Sequence, residues 1–144
     1  MNPNYIHTIT VYNRIRPQDS PTKRDVWYRT VLQSCFWQCK TKEQQMAGST
    51  RMIPENTFVV RIPQKQDCPQ NPDYLPYRKW IRSPDGYFTL AKGDIIVHGE
   101  CDEMISSDFP VAELLKKYAE DAFIITATAD NTKCLFEKHY RAGG

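Results

Sequence analysis

Short runs of alternating or continuous hydrophobic residues recur along this chain, and long polar connections separate them. His7–Tyr12 alternates with a period of two, which places Ile9 and Val11 on one face of a strand. Further strands are predicted where aromatic and β-branched residues cluster, at Asp25–Gln33, Cys35–Cys39 (after a bend near Gln33–Ser34), Phe58–Pro63, Tyr87–Gly99, Phe123–Thr128 and Cys134–Tyr140. Strands this short, joined by polar segments, predict a mainly β fold.

The stretch Tyr87–Gly99 is typical of a β-hairpin. An aromatic strand runs into Lys92, Gly93 and Asp94, and an apolar run then leads to Gly99. Gly93 suits a turn position with positive φ, and Gly99 suits a strand end or a bulge. A strand follows these glycines, and a phosphate-binding loop would need a helix N-terminus there.

One segment, about Asp108–Ala122, has the periodicity of an amphipathic helix. Asp108 can cap it and Pro110 is tolerated in its first turn. Its apolar stripe is expected to lie against the sheet and consists of Val111, Leu114, Leu115 and Tyr118. We therefore predict one domain, residues 1–144: a small closed or nearly closed β-barrel or sandwich with one inserted helix and long loops.

The predicted core draws on strands throughout the chain and on the helix. Its expected members are Ile9, Val11, Val26, Phe58, Val60, Ile62, Ile95, Val97, Ile124 and Leu114. By contrast, Thr41–Asn56 is long, polar and non-periodic, and it has few apolar residues. Loops longer than about 12–15 residues are usually functional or disordered. We expect this loop to be poorly ordered in the isolated protein.

Length and charge limit the class of protein. The chain has 144 residues, a size typical of one domain, and no apolar run approaches the ~20 residues that span a bilayer. Its start lacks the pattern of a signal peptide, so we expect a protein that stays where it is made. Residues 1–92 carry 14 Lys/Arg and 7 Asp/Glu (net +7), and residues 93–144 carry 5 and 10 (net −5). Either interleaved strands average this asymmetry out, or two faces of opposite sign let identical subunits meet head-to-tail.

No pattern in the chain indicates catalysis or metal binding. The five cysteines, an odd number, are expected to be reduced thiols. Cys35 and Cys39 on one strand would lie roughly 13 Å apart, too far for one zinc ion. The histidines lack a Cys or Ser partner in a recognisable arrangement. We predict no enzyme activity, no cofactor and no metal, and interpret the acidic residues as solvated carboxylates, namely Asp94, Asp102, Glu103 and Asp108.

A tract that interleaves aromatic and basic residues, Tyr74–Arg82, allows two interpretations. Its aromatic rings could stack on nucleic-acid bases, as on an OB-like barrel. Alternatively, the rings belong to the core or to subunit contacts, and their basic neighbours face solvent. A single-strand binder normally has a larger basic excess than this chain has.

The order and spacing of the segments resemble the head–tail joining proteins of tailed bacteriophages, the head-closure or stopper group. The resemblance rests on Ile6–Tyr12, Asp25–Thr30, Phe58–Pro63, Gly93-Asp94 and Ile124–Asn131. It implies a structural virion protein, assembled in the bacterial host cytoplasm, that forms a homo-oligomeric ring of sixfold or twelvefold symmetry. Such proteins can be monomeric in isolation. The ring closes the portal channel and contacts portal or adaptor proteins and tail proteins, with no membrane.

The same resemblance assigns roles to residues. It implies that the Thr41–Asn56 loop projects into the channel and touches packaged DNA non-specifically, through Lys40, Lys42, Gln44, Gln45 and Arg51. Residues that fit the structural pattern of the family are Trp27, Arg61, Gly93, Asp94, Gly99, Asp130 and Asn131. Alternatives are a tail-completion or tail-terminator subunit, an OB-like nucleic-acid-binding module and, more distantly, a small hydrolase.

Overall fold

The computed structural model describes residues 5–45, 52–135 and 138–144, and it confirms the predicted class, mainly β with few helices. The strands are β1 (His7–Ile15), β2 (Val26–Gln45), β3 (Met52–Pro63), β4 (Asp73–Tyr74), β5 (Tyr87–Phe88), β6 (Ile95–His98), β7 (Ala122–Ile124), β8 (Ala127–Asp130) and β9 (His139–Gly143). The helices are α1 (Tyr77–Trp80), α2 (Val111–Lys117) and a 3-10 turn at Pro17–Asp19.

Seven of these strands form one antiparallel sheet, in the order β7–β6–β1–β2–β3–β9–β8, which curls into a half-barrel. Its two edge strands, β7 and β8, are consecutive in the chain and separated only by Ile125 and Thr126. The Ile125 N–H donates to the Asp94 carbonyl beside β6 (2.8 Å), and the Thr126 N–H donates to the Gly143 carbonyl in β9 (2.8 Å). One tract of chain thus bonds to both ends of the curl and draws the sheet towards closure.

The inside of the curl holds the larger hydrophobic cluster. Phe58 and Phe123 stack at its centre, with ring centroids 5.0 Å apart. The cluster includes Ile9, Val11, Leu32, Phe58, Val60, Ile62, Ile96, Phe123 and Ile125. The predicted core residues are buried, except that Val26 is half-buried and Ile124 is exposed.

Ile124 is a wrong prediction with a simple cause. Its neighbours Phe123 and Ile125 are 4% and 1% exposed, whereas Ile124 is 42% exposed. Successive side chains of a strand point to opposite faces, so a shift of one position exchanges the buried and the exposed set. In a run of apolar residues, the hydrophobic pattern does not define which alternate set faces inward.

Helix α2 lies on the outside of the curl and covers part of it. Leu114 is fully buried there beside Ile95 and Val97, and Val111, Leu115 and Tyr118 pack against the same cluster. The predicted apolar stripe is therefore confirmed.

The helix is shorter than the predicted Asp108–Ala122. Pro110 occupies the N-cap, and no side chain caps the helix there. The N–H groups of Asp108 and Phe109 instead donate to the Ser106 hydroxyl (both 3.3 Å) in a separate turn. After Tyr118 the chain turns back, and Glu120 adopts φ +74°.

Two other predictions need correction. Tyr87–Gly99 is not a hairpin: β5 pairs with β4 in parallel, whereas β6 pairs with β1 and β7. Cys35–Cys39 is not a separate strand, because β2 continues through it. Ser34 adopts φ +56°, and the pairing with β1 shifts nearby, so Leu32 and Cys35 both face inward across a bulge.

Candidate functional site

Strands β2 and β3 run beyond the rest of the sheet. The pairing of β1 with β2 ends at Cys35, and that of β9 with β3 ends at Val59. Strands β2 and β3 remain paired through residues 40–45 and 52–57, which we call the arm. The six residue pairs span five steps of about 3.3 Å, so the arm is about 17 Å long from its first pair to its last. Among the described strands, no third one pairs with the arm.

The arm corrects part of the predicted Thr41–Asn56 loop. Residues 41–45 and 52–56 are paired strand, because ladder hydrogen bonds satisfy backbone groups even where the side chains are polar. Lys42, Gln44 and Gln45 lie in β2, and Lys40 is exposed at the base of the arm. Arg51 and the remainder of the predicted loop lie outside the described residues. The contact of these residues with DNA stays a prediction.

At the base of the arm, the outward positions of β2, β3, β9 and β8 form a surface that we call the basic face. It consists of Lys40, Val59, Arg61, Arg141, Ala127 and Ala129. Arg61 of β3 lies directly opposite Arg141 of β9, and Phe36 of β2 lies on its other side. The Arg61 guanidinium carbon is 5.4 Å from the centre of the Phe36 ring, close enough for a cation–π contact.

The two arginines have no counter-charge in the part of the chain that the structure describes. No carboxylate there lies within ion-pair distance of Arg61 or Arg141. The Nε atom of Arg61 is buried and lacks a hydrogen-bond partner. Opposed residues on neighbouring strands have Cβ atoms about 4.5–5.5 Å apart, and like charges there are destabilising. The arrangement of Arg61 opposite Arg141 therefore favours the binding of an anion between or beside the two guanidinium groups.

A shallow cavity of about 210 Å³ lies beside Arg141. Its lining is Ala127, Thr128, Ala129, Arg141 and Gly143. Small side chains on β8 and β9 leave this space, and the arginine gives it a positive charge. The cavity has room for a carboxylate side chain but not for an extended ligand. Arg141 was not a predicted site residue, since an isolated arginine near a Gly-rich end has no distinctive sequence signal.

Asp94 is a buried support and not a solvated carboxylate. Its side chain accepts hydrogen bonds from Asn13 Nδ2 (2.9 Å) and from the N–H groups of Arg14 and Ala91 (both 3.1 Å). Asn13 also bonds to the backbone of Thr89. Burial raises the pKa of Asp94 to about 6, against the opposing effect of these hydrogen bonds. Asp94 thus fastens β1 to the segment before β6.

The two predicted glycines serve turns beside this network. Gly93 has φ of +93°, as predicted, and Gly99, with φ of +89°, directly follows the end of β6, as predicted for a strand end. A Cβ on Gly93 would lie 2.7 Å from a guanidinium nitrogen at the flexible end of Arg14, so the positive φ is the main reason for glycine at this position. The Gly99 N–H donates to the Thr8 carbonyl (2.7 Å), and its carbonyl accepts from the Thr10 hydroxyl (2.8 Å).

The other residues assigned by the resemblance also lie in structural settings. Trp27 is half-buried and packs against the cluster under α2. Asp130 accepts hydrogen bonds from the N–H and hydroxyl of Thr132, which lower its pKa. Asn131 contacts Nε2 of His139 (3.1 Å) and closes the turn after β8.

The aromatic residues of Tyr74–Arg82 pack within the protein. Trp80 is fully buried and meets Tyr28 edge-on, and Tyr74 stacks on Tyr140 with ring centroids 4.3 Å apart. The Tyr77 hydroxyl donates to Asp19 (2.9 Å) and accepts from the N–H of Arg16 (2.9 Å). These contacts favour the interpretation of the rings as packing residues over base stacking.

The cysteines are free thiols in the described structure. Cys35 and Cys68 both approach the Gln33 carbonyl, at 3.5 and 3.8 Å, and Asn71 bonds to both backbone groups of Gln33 at 2.8 Å. Burial raises the pKa of the Cys35 thiol. Within the described residues, no three His, Cys, Asp or Glu side chains group as metal ligands.

None of the helices in the described residues is long and apolar enough to cross a bilayer.

Taken together, the fold and these sites define a half-barrel protein with a projecting arm, a basic face and buried polar supports. Residues 5–144 match a family described as of unknown function, DUF6751, and the chain belongs to this family. No curated protein and no solved structure matches the chain.

Proposed function

We propose that this protein is a structural subunit of a homo-oligomeric ring at the head–tail interface of a tailed bacteriophage. In this role it closes the portal channel and docks the tail. The proposal starts from the order of segments that resembles the head-closure group.

The observation that carries the proposal is the arm. A two-stranded ribbon about 17 Å long, without neighbouring strands among those described, extends beyond the rest of the sheet of its own subunit. Isolated hairpins are marginally stable in water, so such an arm is suited to a setting where other copies surround it. In a ring, arms from all subunits converge on the central channel and narrow it.

Buried polar groups elsewhere in the described structure support a role in assembly over one in catalysis. The buried polar groups of Asp94, Asn13 and Asn71 bond to backbone and fasten loops, and none is directed at a cavity with a nucleophile. The basic face, by contrast, has charge and small side chains but no carboxylate at ion-pair distance of its arginines among the described residues.

Shortening the arm tests the proposal. In the test variant, Lys40 and Thr57 are joined through an Asn-Gly turn, which suits a two-residue hairpin and retains the rest of β2 and β3. We expect a nearly unchanged Tm, because the paired residues that are removed pair only with each other among the described strands. Phage particles that assemble with this variant will package DNA, lose it to nuclease and join tails poorly.

A second variant separates length from sequence. Replacing residues 46–51 by Gly and Ser retains the paired strands of the arm and serves as the matched control for length. We expect it to retain more DNA than the shortened variant. Full infectivity of the shortened variant, or absence of the protein from purified virions by mass spectrometry, would contradict the proposed function.

A further inference from the structure

We infer that the basic face of one copy docks on the acidic outer wall of the next copy, residues 99–121, in a head-to-tail contact. The inference rests on the proposed ring and specifies which surfaces join its subunits. It is carried by three observations: an uncovered sheet wall, a paired positive charge on that wall, and an acidic wall on the opposite side of the curl.

The first observation is the difference in cover between the two walls. On the β1–β6 wall, the outward side chains Tyr12, Ile95 and Val97 are buried under α2 and the segment before it. On the β3–β9 wall, Arg141 and the two alanines of β8 are exposed, and Val59 and Arg61 are half-buried. The aliphatic parts of this second wall gain from burial against a partner.

The second observation is charge. Arg61 and Arg141 oppose each other across β3 and β9 without a carboxylate partner in the described residues, and exposed Lys40 extends the same face. A carboxylate from outside would relieve the repulsion between the two guanidinium groups. The cavity of about 210 Å³ beside Arg141 is where such a side chain enters.

The third observation is the acidic wall. Residues 99–121 carry 7 Asp/Glu and 2 Lys, a net charge of −5. Two of these carboxylates are paired within the chain, Asp102 with Arg29 (3.2 Å) and Glu103 with Lys117. Others are exposed and have no ion pair to a described residue, namely Glu100, Asp108 and Glu113.

The two walls face in opposite directions. In the curled order β6–β1–β2–β3–β9, the β1–β6 wall under α2 and the β3–β9 wall lie across the barrel from each other. Complementary patches on opposite sides generate a heterologous contact, which repeats from copy to copy and closes into a ring where the rotation allows. A two-fold dimer would require each wall to be complementary to itself.

Duplex DNA is the competing occupant of the basic face. Its phosphates would satisfy the arginines, but the face has three cations interrupted by valine and alanine, and the whole chain has a net charge of only +2. Phosphate contacts that hold DNA normally involve more cations. Charge complementarity within the chain therefore favours a second copy, and DNA binding is an outcome of the test.

The experiment reverses charge on each wall in the full chain. One variant is Lys40→Glu/Arg141→Glu, at exposed positions of the basic face, and the other is Asp108→Lys/Glu113→Lys, on the acidic wall. Self-association is measured by sedimentation velocity across protein concentration at low and moderate salt. We expect each variant alone to associate at least tenfold more weakly than the wild type. An equimolar mixture of both variants will restore association, since each reversed wall then meets its complement.

Matched controls change the same charges elsewhere. Lys79→Glu/Arg82→Glu and Asp67→Lys/Asp85→Lys alter exposed residues away from both walls and will leave association unchanged. Four outcomes overturn the inference: a wild type that stays monomeric at every concentration, equal loss in the controls, no rescue in the mixture, or duplex DNA binding that Lys40→Glu/Arg141→Glu abolishes without any self-association. Wild-type behaviour of the reversed variants, combined with DNA leakage from shortened-arm particles, would reject the contact and leave the proposed function standing.

Discussion

The β1–β6 wall and the β3–β9 wall are outer surfaces of one sheet, but α2 covers the first and no described element covers the arginines of the second. Strand β6 is apolar on both faces, and its first three residues are fully buried, Ile96 in the barrel interior and Ile95 and Val97 under α2. Strand β3 alternates, with Val60 inside and Arg61 outside. A strand buried on both faces is a continuous hydrophobic run, so the pattern of each strand indicates whether its outer wall is covered within the chain.

On the β1–β6 wall, hydrogen bonds also attach the covering segment to the sheet. The Tyr12 hydroxyl donates to the Glu103 carbonyl (2.7 Å), and burial raises its pKa. The Thr10 hydroxyl accepts from the Cys101 N–H (2.8 Å), and the Arg29 guanidinium donates to the Cys101 carbonyl. These bonds attach the segment between β6 and α2 to β1 and β2, which positions the helix over its apolar patch.

The largest expected effect is the loss of stability when a side chain between α2 and the β1–β6 wall is truncated. Leu114→Ala removes a fully buried side chain and leaves a cavity, which should lower the free energy of unfolding by about 2–5 kcal/mol. Chemical denaturation followed by circular dichroism measures it. Leu135→Ala, at an 89% exposed position, is the control and should change it by less than about 0.5 kcal/mol. Equal effects in both variants would show that α2 does not cover the wall.

The contribution of Asp94, just before β6, to the free energy of unfolding is expected to depend on pH. Because burial raises the pKa of Asp94 from 3.8 to about 6, the folded state binds this proton more tightly than the unfolded state. The stability from Asp94 is therefore fully present below about pH 4 and is lost as the pH rises through 6. The free energy of unfolding of the wild type relative to Asp94→Asn should fall by about 2 kcal/mol between pH 4 and 7.

Urea denaturation at several pH values measures this difference. Asp85→Asn, at an exposed turn, is the matched control and should show a nearly constant difference from the wild type over the same range. A difference for Asp94→Asn that grows as the pH rises would mean that the three hydrogen bonds outweigh burial.

The smallest effect is expected on the uncovered wall. Arg141→Thr removes the like charge opposite Arg61 and places a β-branched residue in β9, so it should raise the free energy of unfolding by about 0.5 kcal/mol at low salt. Salt screens exposed charges, so the gain should shrink at high ionic strength. Lys79→Thr, on a helix, provides the comparison for loss of one exposed charge. A loss of stability in Arg141→Thr would indicate that this arginine has a partner within its own chain.

Much of the fold follows from local pattern. The alternation in β1 and around Phe58, Val60 and Ile62 places these residues inside, and the stripe on α2 identifies the face that packs on the sheet. Positive φ at Gly93 likewise follows from local turn chemistry. Each of these features depends on side chains within a few residues of one another.

The candidate sites depend on pairing between segments that are distant in the chain, and the local hydrophobic pattern does not predict such pairing. The polar residues 41–45 and 52–56 lack hydrophobic alternation, and their strand character comes from the backbone ladder between β2 and β3. Asp94 is typical of an exposed turn in sequence, but Asn13, 81 residues away, makes it a buried acceptor. The two strands of the predicted hairpin Tyr87–Gly99 do not pair with each other, because β5 pairs with β4 and β6 pairs with β1.

The amino-acid sequence by itself therefore determined the class of fold, most of the core and the apolar face of the helix, because hydrophobic burial acts on periodicity that is local in the chain. Only the tertiary structure decided that Arg61 meets Arg141, that Asp94 is buried and that β2 and β3 form an arm. Strand pairing brings together residues far apart in sequence, and each such encounter depends on a register to which the whole sheet contributes.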